Sequence, residues 1–132
     1  MTELKPGLSG RAELIVAEPH TAASVGSGRV GVLATPVMIN LIEAAALDAI
    51  EAQLPEGHQS LGTRLDVSHT AATPVGMRVR ATAELARIEG RVLHFKVRAE
   101  DEAEEVGAGT HERIVVNVEK FARRVARKTE GQ

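Results

Sequence analysis

Two periodicities divide the chain. Arg11 to Ala17 alternates, with Ala12, Leu14 and Val16 set against Arg11 and Glu13, and predicts a first strand. Residues 18–31, Glu-Pro-His-Thr-Ala-Ala-Ser-Val-Gly-Ser-Gly-Arg-Val-Gly, have the composition of a loop. Thr35-Pro36 then predicts a helix start, with threonine as N-cap and proline at the first helical position. The helix runs to about Gln53, where Leu-Pro-Glu-Gly ends it. From Ser60 the period returns to two. Strands are predicted over 60–72, 77–88, 91–100 and 106–118, with turns at 73–76, at Glu89-Gly90 and in the acidic 101–105. Short turns between successive strands predict antiparallel hairpins, so these four read as a meander. The sum is an α+β architecture in which one long helix covers a curved antiparallel sheet of about five strands.

The helix is apolar around most of its circumference, which predicts burial on several sides by a sheet that wraps it. At 100° per residue, Ile39, Glu43, Ala46, Leu47, Ile50 and Leu54 fall on one stripe, and Asn40, Ala44, Asp48 and Glu51 form a polar edge. Glu43 therefore sits in an apolar stripe, where a carboxylate needs a reason. In the strand 60–72, alternation puts Leu61, Thr63, Leu65, Val67, His69 and Ala71 on one face. Gly62, Arg64, Asp66, Ser68 and Thr70 fall on the other. The first face is the apolar one, so His69 is predicted to point inward, as Glu43 does.

Composition narrows the classes. With 132 residues the chain is expected to form a single domain over 1–132, its tail from about residue 122 helical or mobile. It is 43% hydrophobic and 26% charged, as soluble globular proteins are, and its net charge of −2 offers no general basic field for nucleic acid or anionic lipid. The run Lys120 to Lys128, Lys-Phe-Ala-Arg-Arg-Val-Ala-Arg-Lys, is a local exception. It reads as a solvated helix face, with a contact for a phosphate-bearing ligand as the alternative. There is no cysteine, which excludes disulfides and thiolate chemistry and fits the reducing cytoplasm. The first ten residues hold no apolar core of the signal-peptide type, and 37–50 is too short and too polar to span a membrane. Only Phe95 and Phe121 are aromatic, so the core must be built from Val, Leu, Ile and Ala. Such a core gains from burying further surface in an oligomer.

Several motifs are set aside. Gly26-Ser-Gly-Arg-Val-Gly31 matches G-x-G-x-x-G, but no strand precedes it and no helix opens inside it, so it reads as a loop or lid. The five histidines lack metal-ligand spacing, and no G-x-S-x-G is present. His111 and Arg113 share the face of Val115, in a structural or a ligand-facing role. Singly, Thr35 is a cap, Glu43 a paired core carboxylate or an exposed residue on a differently placed helix, and His69 a hydrogen-bonded structural histidine. Together they form a hydroxyl, a carboxylate and an imidazole on one inner surface, a set that polarises a carbonyl, supplies a base and orients a nucleophile.

Several segments carry a resemblance: Ala-Thr-Pro-Val-Met-Ile-Asn-Leu-Ile-Glu-Ala-Ala-Ala from Ala34, Ser-Leu-Gly-Thr through His-Thr-Ala-Ala-Thr-Pro from Ser60, and Gly-Thr-His-Glu-Arg through Glu-Lys-Phe from Gly109. In these the chain resembles the fluoroacetyl-CoA thioesterase family of hotdog-fold proteins, from Ala34 to about Thr129. The resemblance implies hydrolysis of an acyl-CoA thioester to a carboxylic acid and CoA, without a metal or redox cofactor. It implies catalytic roles for Thr35, Glu43 and His69, and substrate-binding roles for Gly62 and Arg113. It implies a homodimer with active sites at the subunit interface, a tetramer being the alternative. Glu43 would attack the carbonyl or activate water, and His69 would be its acid–base partner. Thr35 would donate a hydrogen bond. N–H groups at the helix start or at Gly62 would take the oxyanion. One departure matters. The family's enzyme closes its site with lid phenylalanines, whereas the lid here is rich in glycine and has no aromatic, so a generic short-chain acyl-CoA is expected. The alternatives are a non-catalytic acyl-CoA binder, another thioester reaction such as enoyl hydration, and a structural dimer.

Overall fold

The computed structural model describes residues 4–130. In chain order the elements are β1 (Ser9–Ile15), a 3-10 turn (Glu18–His20), α1 (Ala22–Val25), α2 (Thr35–Ile50) with a 3-10 extension (Glu51–Gln53), β2 (His58–His69), β3 (Arg78–Glu89), β4 (Val92–Asp101), β5 (Glu105–Asn117) and α3 (Val118–Ala126). The strands form one antiparallel sheet in the order β1-β3-β4-β5-β2. The segment 18–31, expected as loop, is organised by the 3-10 turn and by α1, whose first turn is capped by the Thr21 hydroxyl.

The expected four-strand meander is corrected to three. β3, β4 and β5 turn back on one another, but β2 pairs with β5 at the far edge, from His58↔Asn117 to His69↔Gly107. Thr73-Pro74-Val75-Gly76 looks like a hairpin turn, yet its polar groups are used at long range. Leu33 N donates to Thr73 O, Thr73 Oγ1 donates to Asp101 Oδ2 at 2.9 Å, and Val32 bridges Pro74. Residues 70–77 thus cross to the other side of the sheet.

The core lies between one flank of α2 and the inner faces of β1, β3 and β4. Met38, Leu41, Ile42, Ala45, Ala49 and Ile50 are buried from the helix, and Val79, Ala81, Ala83, Leu85, Leu93, Phe95, Val97 and Ala99 from the strands. Alternation makes Ala81↔Ala99, Ala83↔Val97 and Leu85↔Phe95 face the helix as cross-strand pairs. Small residues let the layers approach. At Gly10 of β1, a Cβ would strike the backbone of α2 at Ala45 and Ala49, so only glycine fits there. Asp48, on the polar edge, accepts a hydrogen bond from Arg11 N at 3.0 Å and ties helix to strand.

The buried stripe is rotated from the expected one. Ile39, Glu43 and Leu47 lie only half-buried, on the side of α2 that faces β2, and α2 barely reaches that strand. The expected burial of β2 under the helix is corrected likewise, since Leu61 and Leu65 are 41% and 39% exposed.

Candidate active site

A bulge decides which β2 residues face inward. Gly62 pairs with Arg113 and Arg64 with Glu112, leaving Thr63 as the extra residue. An inserted residue inverts strand parity. Before the bulge Ser60 and Gly62 share the face of Val115 and Arg113. After it Leu65, Val67 and His69 share the face of His111, Gly109 and Gly107. This corrects the uninterrupted alternation, which put Gly62 on the outer face and Leu61 and Thr63 on the inner one. It leaves His69 inward as expected.

At one end of this face Thr35 meets His69. Thr35 is not the N-cap. That position belongs to Ala34, and among the described residues no side chain caps α2. The hydroxyl is therefore free to bond His69 Nδ1 at 2.7 Å. The other ring nitrogen, Nε2, is buried and has no hydrogen-bond partner among the described residues. Burial lowers the His69 pKa from 6.5, opposed by the Ala71 backbone, so the ring is neutral at neutral pH. An unpaired buried nitrogen is costly, and in a half-buried ring it marks a place for a substrate atom or water.

Further along the face Glu43 meets Arg113. The Arg113 side chain is buried, and four groups hold it. Its Nε donates to Ser60 Oγ at 2.8 Å and its Nη2 to the Ser60 carbonyl at 3.0 Å. Its Nη1 donates to His111 Nε2 at 3.1 Å and to Glu43 Oε2 at 3.4 Å. His111 Nδ1 in turn donates to the Arg64 carbonyl at 2.8 Å, which fixes its tautomer. Burial is the main cause that lowers the His111 pKa. The Arg64 backbone opposes it, Arg113 reinforces it, and Glu43 and Glu112 oppose it. Burial also lowers the Arg113 pKa, with Glu43 pulling it back. The contact to Glu43 is the longest of the four, so its carboxylate is anchored on one side and still 35% exposed. Gly62 lies directly beneath it: a Cβ there would collide with Glu43 Oε2 and crowd His111.

The five expected residues thus form two groups, Thr35 with His69 and Glu43 with Gly62 and Arg113. No hydrogen bond joins the groups among the described residues. Glu43 lies eight positions after Thr35 on the helix, about 12 Å along the axis. Ser60 and His111 complete the Arg113 cradle. The histidine was readable as sharing a face with Arg113, but Ser60 was not, because the bulge sets its parity. The glycine inside a strand pattern was the available signal. Beside Thr35 and His69, residues 22–33 flank an open groove of about 390 Å³, lined also by Arg29, Val30, Leu33 and Ala71. Among the described residues no three His, Cys, Asp or Glu side chains gather as a metal site requires.

A long helix under a curled antiparallel sheet, with its polar residues at the β2 margin, is the hotdog architecture of the thioesterase superfamily. A thioesterase superfamily member from Thermus thermophilus is 28% identical and superposes over all of both chains with a TM-score of 0.88. A solved fluoroacetyl-CoA thioesterase, FlK, is 38% identical, with a TM-score of 0.90 over 97% of this chain and 99% of that one. The fluoroacetyl-CoA thioesterase of Streptantibioticus cattleyicolor is 49% identical over 98 residues, 74% of this chain and 70% of the relative. The model of the fluoroacetyl-CoA-specific thioesterase family matches residues 16–119, and the chain belongs to that family. It is a thioester hydrolase of the acyl-CoA class.

Proposed function

We propose that the protein hydrolyses short-chain acyl-CoA thioesters, one hotdog domain per chain, at a site that two chains build together. The carrying observation is the separation of the site's halves. Thr35–His69 and Glu43–Gly62–Arg113 stand about two helical turns apart in one protomer, too far to act on one carbonyl. β2 is an uncovered edge strand with half-exposed apolar side chains. Antiparallel pairing of two β2 strands about a two-fold axis lays the His69 end of one chain opposite the Gly62 region of the other. Glu43 of one chain then faces Thr35 and His69 of its partner.

In that arrangement the positive end of α2 offers the Thr35 N–H to the carbonyl oxygen, since Pro36 has no N–H and those of Val37 and Met38 donate to the Ala34 carbonyl. Glu43, held by Arg113, attacks the carbonyl carbon or takes the proton of the attacking water. The proton taken from water moves through His69 Nε2 to the departing CoA thiolate, so the ring begins and ends neutral, and Thr35 orients it through Nδ1. Gly62 leaves the room beside Glu43 that the thioester occupies. The lid carries Val30, Leu33 and alanines but no aromatic, which suits a generic short acyl chain better than strict selection of fluoroacetyl. No helix among the described residues is long and apolar enough to cross a membrane. Together with the lack of cysteine, this supports action in the cytoplasm.

The test is a panel of acyl-CoAs, acetyl and fluoroacetyl included, followed by release of free thiol. Glu43→Ala and His69→Ala are each expected to lower kcat roughly 10²–10⁴-fold with the fold intact. Dissociating and remixing the two variants is expected to restore about a quarter of wild-type activity, because half the dimers then hold one intact site of two. Full activity in both single variants refutes the catalytic assignment. Lost activity with no recovery on mixing refutes the shared site.

A further inference from the structure

We infer that α3 and the β3–β4 turn form the binding site for the nucleotide end of CoA, its 3′-phosphorylated ADP. The inference rests on the acyl-CoA reading above and adds a site to it. Arg91 from the turn and Lys120 and Arg124 from α3 line one small cavity of about 130 Å³ with Val116, Asn117 and Phe121. Among the described residues none of the three cations has an ion pair or a side-chain hydrogen bond, whereas Arg123, on the same helix but outside the cavity, is paired with Glu119 at 3.0 Å. Lys120 and Arg124 are one turn apart with like charge, which costs a helix a few tenths of a kcal/mol unless an anion lies between them. The chain carries a net charge of −2, yet 118–128 holds five of its 16 Lys and Arg and only one acid.

The cavity offers more than charge. Phe121 is one of only two aromatic residues in the chain, and it is 37% exposed between the cations. An exposed aromatic face flanked by guanidinium and ammonium groups matches a purine ring with phosphates on either side. The place also fits. Asn117, at the start of α3, is four residues beyond Arg113 on β5, about 13 Å along the strand. An extended pantetheine arm spans a separation of that kind between the thioester and its nucleotide. In a symmetric dimer both copies of α3 carry the substitution, so its effect reads the same whichever protomer's site each helix serves.

The experiment compares two substrates, acetyl-CoA and S-acetyl-pantetheine, which lacks the nucleotide. The full-length wild type is set against a variant combining Arg91→Ala, Lys120→Ala and Arg124→Ala, and against Phe121→Leu. Circular dichroism checks that these surface changes leave the fold in place. The triple variant is expected to raise KM for acetyl-CoA roughly ten- to a hundredfold at low salt, with kcat nearly unchanged. Its kinetics on the pantetheine thioester should match the wild type, and its KM should lose most of its dependence on ionic strength. Phe121→Leu should give a smaller rise, and Arg123→Ala none. Unchanged KM for acetyl-CoA in the triple variant, or equal losses on both substrates, overturns the proposal. Binding of adenosine 3′,5′-bisphosphate, measured by calorimetry, reads the site without turnover. Loss of that binding in the triple variant supports the nucleotide site even if no acyl-CoA is hydrolysed, in which case only the hydrolase reading falls. Inorganic phosphate competing as well as the bisphosphate shows a general anion patch and overturns it.

Discussion

The two flanks of α2 are built differently. Toward β1, β3 and β4, Ile42, Ala45 and Ala49 are sealed against apolar strand faces, and Gly10 lets the backbones touch. Toward β2 the helix presents Ile39, Glu43 and Leu47, half-buried, over a strand whose leucines are also open. Beneath them lies Arg113, which the sheet buries and then satisfies with four partners. A buried cation costs stability unless its hydrogen bonds are complete. The first flank supplies the free energy of folding. The second spends some of it to hold a guanidinium and a carboxylate in fixed positions. Stability and chemistry are therefore separable by mutation, and the flanks should respond to different measurements.

The largest effect belongs to the first flank. Phe95 is 1% exposed, the largest fully buried side chain, and packs where β3 and β4 meet the helix. Phe95→Ala should destabilise the protein by about 3–5 kcal/mol, through lost burial and the cavity left behind. Chemical denaturation measures it. A loss below about 1 kcal/mol would mean that the alanine-rich core collapses around the gap and is not the rigid half described above. Phe95 also stacks on His111, with ring centroids 5.9 Å apart. Some loss of activity should therefore accompany the loss of stability, since His111 props Arg113.

The next effect reverses the pattern. Gly62→Ala adds one methyl group on the second flank, directly under Glu43 Oε2. The carboxylate is the free end of a side chain and swings aside; Arg113 gives up only the longest of its four contacts and keeps those to Ser60 and His111, so the loss of stability is small. It then leaves its position over the substrate. The variant should melt within about 1 kcal/mol of wild type yet lose activity by about tenfold to a hundredfold, seen in kcat rather than KM. Equal loss in both quantities would place Gly62 in the structural half.

How much of this was legible in the sequence follows the same division. Long-period features survived. The helix from Thr35, the five strands, the inward turn of His69 and the shared face of His111 and Arg113 all follow from periodicity, because each is a local repeat that burial enforces. What failed were features set by distant partners. Thr73-Pro74 has a turn's composition, but Leu33 and Asp101 recruit its polar groups, so β2 travels to the far edge. The bulge at Thr63 inverts parity, so strict alternation misplaced Gly62 and hid Ser60. The resemblance supplied Gly62 where alternation had it facing outward, and the bulge reconciles the two. The rotation of the buried stripe on α2 was unreadable for another reason. A helix apolar nearly all round does not state which side packs in the protomer.

The smallest expected effect separates the flanks by pH. The core contacts of the first flank do not titrate. On the second, burial lowers the pKa values of both His69 and His111 from 6.5. A depressed folded-state pKa means that the unfolded chain binds protons first as pH falls. The stability these histidines contribute is thus present above pH 6.5 and is lost as pH drops below it, toward their folded values. Each ring adds a slope of at most about 1.4 kcal/mol per pH unit in that window. His111→Gln keeps an acceptor for Arg113 and a donor for the Arg64 carbonyl, so it should hold neutral-pH stability while flattening the acid slope. Denaturation midpoints between pH 7.5 and about 5 measure it. Activity gives the complementary reading, because His69 must be neutral to bond Thr35 and substrate together. In wild type and in His111→Gln alike, kcat/KM should fall on the acid side with an apparent pKa below 6.5. If His111→Gln moved that limb as well, the titration that governs catalysis would belong to the Arg113 cradle rather than to the Thr35–His69 pair.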